Sequence, residues 1–189
     1  MKNIISNYNL TKNYLENSSS IRFLLVGPHN AGKSKILNKI IGYNSKLLET
    51  DVDECTKICV IIKYAPKSET PKLFEADFRT NRVNYNYYFQ YDEDKKLAEG
   101  EEEIKKKIKE LNHENSNKTN ELKFYFLKTP IEIFDLIIEE NIDSKEKEKI
   151  GKIIEKIELL DFPGLDTKFN EAKRKSTIFI KNSRWIYLC

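Results

Sequence analysis

A three-layer α/β sandwich built on a mostly parallel sheet is the fold this sequence predicts. Three segments predict it: an apolar run at 21–26 that opens into a glycine-bracketed loop and a helix, a second apolar run at 58–64, and a third at 153–160 that ends in Asp161-Phe162-Pro163-Gly164. At 189 residues the chain suffices for one domain with a sizeable core. That domain is assigned to 21–189, preceded by a polar segment or helix at 1–20. Apolar residues make up 39% and charged residues 33%, on the polar side for a globular protein. The richness in Asn, Lys and Ile reflects an AT-rich coding bias more than chemistry. A net charge of +3 leaves no electrostatic footprint for nucleic acid. No apolar run reaches the ~18 residues of a membrane span, and 1–20 lacks the apolar centre of a signal peptide. Cys55, Cys59 and Cys189 are few, odd in number and without metal-ligand spacing, which predicts a reduced, cytoplasmic chain with no zinc site.

Taken in order, the first strand is 21–26, interrupted only by Arg22. Gly27-Pro28-His29-Asn30-Ala31-Gly32-Lys33-Ser34 follows, a complete G-x-x-x-x-G-K-[ST] phosphate loop, and 35–41 reads as a helix. In such a loop backbone N–H groups face the phosphates, Lys33 reaches the β and γ oxygens, and the Ser34 hydroxyl ligates Mg²⁺, with the helix N-terminus adding partial positive charge. A glycine-rich turn that matches by accident is the alternative, and the flanking strand and helix weigh against it. The fold class is therefore that of a phosphate-loop (P-loop) nucleoside triphosphatase. Glu54-Cys55-Thr56-Lys57 precedes the second strand, 58–64. The Thr56 hydroxyl and carbonyl suit closure over Mg²⁺ and orientation of an attacking water, although a threonine there is also an ordinary strand former.

The middle of the chain says least. Residues 73–78 and 85–91 read as an antiparallel pair joined through 81–84. The charge-rich stretch 92–111 reads as a solvated helix with a stripe of Leu97, Ile104, Ile108 and Leu111, and 116–120 as a polar loop. Thr129-Pro130 fits a helix start that continues through Ile131, Phe134, Ile137 and Ile138, and 144–150 reads as another short helix. Tyr85, Tyr87, Tyr88 and Tyr91 are read as cross-strand packing, with base stacking or membrane contact as the other use of such residues. The third core strand, 153–160, delivers Asp161, whose carboxylate can hold Mg²⁺, and Gly164, whose N–H can meet a γ-phosphate. On its own D-x-P-G is a common turn. A fourth core strand is read at 184–188.

The order G-P-H-N-A-G-K-S, then E-C-T-K before an apolar strand, then L-L-D-F-P-G-L-D resembles the GTPase domain of the dynamin superfamily of large GTPases. The resemblance covers 21–64 and about 150–189 and omits the middle; D-F-P-G is closer to dynamins than to guanylate-binding proteins. It implies GTP binding and Mg²⁺-dependent hydrolysis by a chain in the cytoplasm, peripheral to membranes. By position, residues 27–34 would bind the nucleotide, Lys33 would neutralise the phosphates, Ser34, Thr56 and Asp161 would contact Mg²⁺, and Asp161 and Gly164 would sense the γ-phosphate. Dynamins commonly carry Gln-Ser where this chain has His29-Asn30, and guanylate-binding proteins place an arginine close by. If hydrolysis is driven from inside the loop, Asn30 could donate a side-chain hydrogen bond, and His29 could stabilise charge only when protonated. A surface histidine without catalytic duty is the alternative for His29.

Two departures complete the expectation. No N/T-K-x-D guanine motif follows Gly164, and the strand order 2-3-1-4-5-6 of the resemblance would need two strands beyond 188. The sheet is thus expected to be truncated after core strand 4, with a helical and β-hairpin insertion at about 65–150 between core strands 2 and 3. A fragment, or a chain whose sheet a partner or missing C-terminal domains complete, would self-associate through the nucleotide face or the exposed sheet edge. Partners implied are GTP, a second copy and a membrane, with no nucleic acid. Rival readings are a nucleotide-dependent assembly module with little turnover and an ATPase of another P-loop class.

Overall fold

The computed structural model describes residues 20–25, 27–28, 30–48, 58–80, 87–118, 122–140, 143–163 and 185–188. Among the described residues seven strands and four helices follow in the order β1 (Ile21–Leu25), α1 (Lys33–Ile41), β2 (Cys59–Tyr64), β3 (Lys72–Thr80), β4 (Tyr87–Glu99), α2 (Glu101–Lys118), β5 (Phe124–Thr129), α3 (Glu132–Glu139), α4 (Ser144–Ile154), β6 (Ile157–Asp161) and β7 (Trp185–Leu188). All seven strands lie in one sheet of order β4-β3-β5-β2-β6-β1-β7.

The right half of that order, β2-β6-β1-β7, is the expected core order 2-3-1-4. The sheet as a whole is mixed, which corrects the expectation of a mostly parallel one. β1 runs parallel to β6 and β7, and β2 parallel to β5, whereas β2 with β6, β3 with β4 and β3 with β5 are antiparallel. The stretch between β2 and β6 is the cause: its three strands extend the same sheet outward from β2. β5 pairs with β2 on the side away from β6, in register Cys59↔Phe124 to Tyr64↔Thr129, and the β3–β4 pair adds beyond it.

β2 and β5 are apolar on both faces, CVII and FYFL, because each is flanked by strands and covered above and below. One face carries Leu25, Val60, Ile62, Tyr125, Leu127 and Leu159, packed against Leu37 and Ile41 of α1 and Ile104, Ile108 and Leu111 of α2. The other face gathers Leu24, Cys59, Ile61, Phe74, Phe124, Phe126 and Leu160 with Leu122 and Phe162. Among the described residues, helices contribute to the first cluster alone, so two of the three expected layers are described. α3 packs against both α1 and α4.

Three local readings differ from the structure. Residues 92–99 belong to β4, not to a helix; Gly100, at φ 87°, ends the strand, its N–H donates to the Pro71 carbonyl at 2.9 Å, and α2 begins at Glu101. The charged side chains of 92–99 line an edge strand, where they stay solvated. Residues 124–129 form β5, which the sequence reading passed over, so Thr129 closes a strand and α3 begins only at Glu132. α4 runs on to Ile154, with Ile154 buried, and β6 starts at Ile157. Tyr91 packs as expected, 5.0 Å from Phe74 and 4.7 Å from Phe126 between ring centroids. Tyr85 lies outside the described residues, and the side chains of Tyr87 and Tyr88 do too.

Candidate nucleotide-binding site

Between β1 and α1 lies the segment read as a phosphate loop, and its described part is turned by backbone hand. Asn30 has φ 59° and Gly32 φ 79°, with Ala31 between them on the ordinary side. Alternation of this kind aims successive N–H groups to one side and forms anion-receiving concavities. Asparagine tolerates the left-handed region better than most side chains, so Asn30 has a conformational reason to be there as well as any chemical one. Gly32 is the N-cap of α1, and its carbonyl accepts the Ile36 N–H at 2.9 Å. The loop is closed across itself: Ala31 N–H donates to the Pro28 carbonyl at 3.4 Å, and the Lys33 ammonium donates to the carbonyls of Pro28 at 2.8 Å and Gly27 at 3.3 Å. Lys33 therefore lies curled back over the start of the loop.

Ser34 opens the first turn of α1 and Asp161 closes β6, 127 positions later, yet the Ser34 hydroxyl donates to Asp161 Oδ2 at 2.7 Å. The two meet because β6 runs parallel to β1, in register from Ile21↔Ile157 to Leu24↔Leu160, which brings their C-terminal ends side by side. Both groups are buried, Asp161 at 2% exposure. Its second oxygen, Oδ1, is buried with no hydrogen-bond partner among the described residues. Burial pushes the Asp161 carboxyl up to about 6, against the opposing pull of the Ser34 hydroxyl and the Lys33 ammonium. Cys59 on neighbouring β2 is buried, and burial together with the Asp161 charge raises its thiol well above the usual range, which keeps it protonated and inert.

An unpartnered buried oxygen is expensive in an apolar core and normal beside a cation. A carboxylate and a hydroxyl, both hard oxygen donors, fit Mg²⁺, which binds through one or two protein oxygens and completes its shell with phosphates and water. Among the described residues no group of three acidic, histidine or cysteine side chains forms a protein-only metal cage, and Mg²⁺ bound with a nucleotide does not need one. Of the residues singled out in the sequence, Gly27, Pro28, Asn30, Ala31, Gly32, Lys33, Ser34 and Asp161 come together here. His29, Thr56 and Gly164 lie outside the described residues.

The model of the dynamin family matches residues 23–189. No curated protein matches the chain. Among solved structures, a similar one comes from work described as "An oligomerised bacterial dynamin pair provides a mechanism for the long range sensing and tethering of membranes", at 19% identity and a TM-score of 0.41. The alignment covers 93% of this chain and 21% of that one, so the chain spans about a fifth of its neighbour's length.

Proposed function

Because this chain belongs to the dynamin family, we propose that its phosphate loop binds GTP with Mg²⁺ and that the site hydrolyses it. The observation that carries the reading is the contact of Ser34 with Asp161 at 2.7 Å, beside a buried carboxylate oxygen that has no partner among the described residues. Ser34 and Asp161 would hold the ion, which when bound draws charge from the β- and γ-phosphate oxygens. The chain's own residues do the rest. The Lys33 ammonium exchanges the carbonyls of Gly27 and Pro28 for phosphate oxygens, and the turn from Gly27 to Gly32 offers its amides to the phosphate chain. A water in line with the γ-phosphate attacks phosphorus as the bond to the β-phosphate oxygen breaks, giving GDP and inorganic phosphate, while Lys33 and the loop donors absorb the charge that develops. We assign Thr56 to orienting that water and closing over the metal, Gly164 to the γ-phosphate, and His29 and Asn30 to charge stabilisation from within the loop.

Lys33→Ala tests the reading. Charge-assisted hydrogen bonds contribute roughly 1.5–3 kcal/mol each, and Lys33 is positioned to make more than one. GTP affinity is expected to fall by at least about a hundredfold in calorimetry, with the thermal unfolding midpoint little changed. Unchanged GTP binding in a folded Lys33→Ala variant overturns the site. Competition of GTP and ATP against a fluorescent guanine nucleotide separates a GTPase from an ATPase of another P-loop class.

A further inference from the structure

On the far flank of α1 from the phosphate loop lies a recess of about 570 Å³, lined by Lys35, Lys39, Tyr43, Asn44, Lys46 and Glu132 among others. None of residues 27–34 lines it. Lys35 and Lys39 project from one exposed stripe of α1, one turn apart, and Lys46 faces them from the loop that follows the helix. Among the described residues these three ammonium groups have no carboxylate within ion-pair distance, whereas Lys63, Lys72, Lys96, Lys107, Lys128 and Lys152 all do. The one acid in the lining, Glu132, is already engaged, its Oε2 accepting the Tyr43 N–H at 2.9 Å.

The walls are fixed in advance. Gly42, Tyr43 and Asn44 take φ of 75°, 49° and 56°, a left-handed run that reverses the chain under α1, and the Ser45 N–H donates to the Gly42 carbonyl at 2.8 Å. The Tyr43 hydroxyl donates to the buried Asp135 at 2.9 Å. Asn38, also buried, spans the loop with both ends of its amide, donating to the Leu48 carbonyl at 2.9 Å and accepting the Leu48 N–H at 3.0 Å. A left-handed turn at two non-glycine residues stores strain, and it persists here because these bonds over-determine it. The result is an open, preformed concavity of small-molecule size with a surplus of unpaired positive charge.

We propose that this recess is a second anion site, distinct from the nucleotide site, for a compact ligand bearing two or more phosphate groups. Lysines bind phosphate as point charges, and convergence of three on a shaped recess favours a ligand with more than one dianionic group over a lone carboxylate. Such a ligand can come from solution or from a phosphorylated lipid headgroup.

Amide chemical shifts read the two sites separately in one protein. Titration of the full chain with inorganic pyrophosphate is expected to give saturable shifts at Asn44, Ser45 and Lys46. In Lys39→Gln/Lys46→Gln those shifts should require about tenfold more pyrophosphate, while shifts at Gly32 and Ser34 keep their wild-type midpoint. The absence of a saturable response at residues 44–46, or a response that the double substitution leaves unchanged, overturns the proposal and leaves GTP binding untouched. Flotation with phosphatidylcholine vesicles, with and without phosphatidylinositol bisphosphate, identifies the source. Capture only by the phosphorylated vesicles, lost in the double variant, assigns a headgroup; pyrophosphate binding without capture assigns a soluble ligand.

Discussion

At Asp161 folding and the proposed metal-holding role pull in opposite directions. Its carboxylate is buried at the end of a central strand, one oxygen is met by Ser34 and the other by nothing among the described residues. A buried, half-satisfied charge costs stability unless a cation joins it. Replacing it with the isosteric amide removes the charge and keeps an acceptor for the Ser34 hydroxyl. Asp161→Asn is therefore expected to raise the stability of the ligand-free chain by about 1–2 kcal/mol in urea unfolding, and to weaken Mg²⁺-dependent GTP binding by more than tenfold in calorimetry. Equal or lower stability would mean that the carboxylate is better solvated than its burial implies. Asn30 shows the complementary case, in which one side chain serves backbone geometry first: its φ of 59° suits asparagine whatever its part in the chemistry.

At the scale of elements, α1 is held at both ends. Its N-terminus presents Lys33 and Ser34, and the turn after its C-terminus is anchored to α3 and β2 through Asp135, which accepts from Tyr43 at 2.9 Å and from Tyr64 at 2.6 Å. Burial, and after it these bonds, push both phenols upward, Tyr43 to about 12. Tyr43→Phe leaves one oxygen of the buried carboxylate short of a donor, and should lower stability by about 1–2 kcal/mol in urea unfolding; a change below about 0.5 kcal/mol would show that water replaces the hydroxyl. Neither tyrosine stood out in the sequence, because hydrogen bonds to a residue 92 and 71 positions away leave no local pattern. The strand and helix flanking residues 27–34 and the strand ending at Asp161 were legible because a motif of fixed residue types at fixed spacing marks their junctions. β5 was not, although Phe124-Tyr125-Phe126-Leu127 between Asn120 and Pro130 is a short apolar run of the kind a doubly buried strand makes. The boundary of β4 was lost for the opposite reason. Charged residues at 92–99 match a solvated helix as well as an edge strand, and the telling signal was Gly100 before Glu101-Glu102-Glu103, an acidic first turn that marks where α2 begins.

Across the whole molecule, the sheet is crossed by a charged row that has no place in an apolar core. Arg22 on β1 bonds Glu158 on β6 at 2.7 Å, Lys63 on β2 stands 3.9 Å from the same carboxylate, and the Arg22 guanidinium lies 5.3 Å from the Phe89 ring centroid. The pair is buried, with side-chain exposures of 9% and 6%. Sheet pairing puts the three residues opposite one another, Arg22↔Glu158 and Lys63↔Glu158, so a slip of one residue in β6 would set the carboxylate against Leu or Phe neighbours on the wrong face. A row so placed would penalise a slip between the two strands that must end together if Ser34 is to meet Asp161. Buried pairs are worth little against apolar replacements, yet breaking one partner alone strands a charge. Arg22→Met should therefore cost about 3 kcal/mol in urea unfolding, and adding Glu158→Leu should recover most of it. If the row guards register, the double variant should still bind GTP less well than the wild type even at recovered stability, because β1 and β6 are then free to pair in more than one way. A double variant as unstable as Arg22→Met would place the loss in the packing of the guanidinium on Phe89, and one that binds GTP like the wild type would leave register to the apolar pattern of the strands.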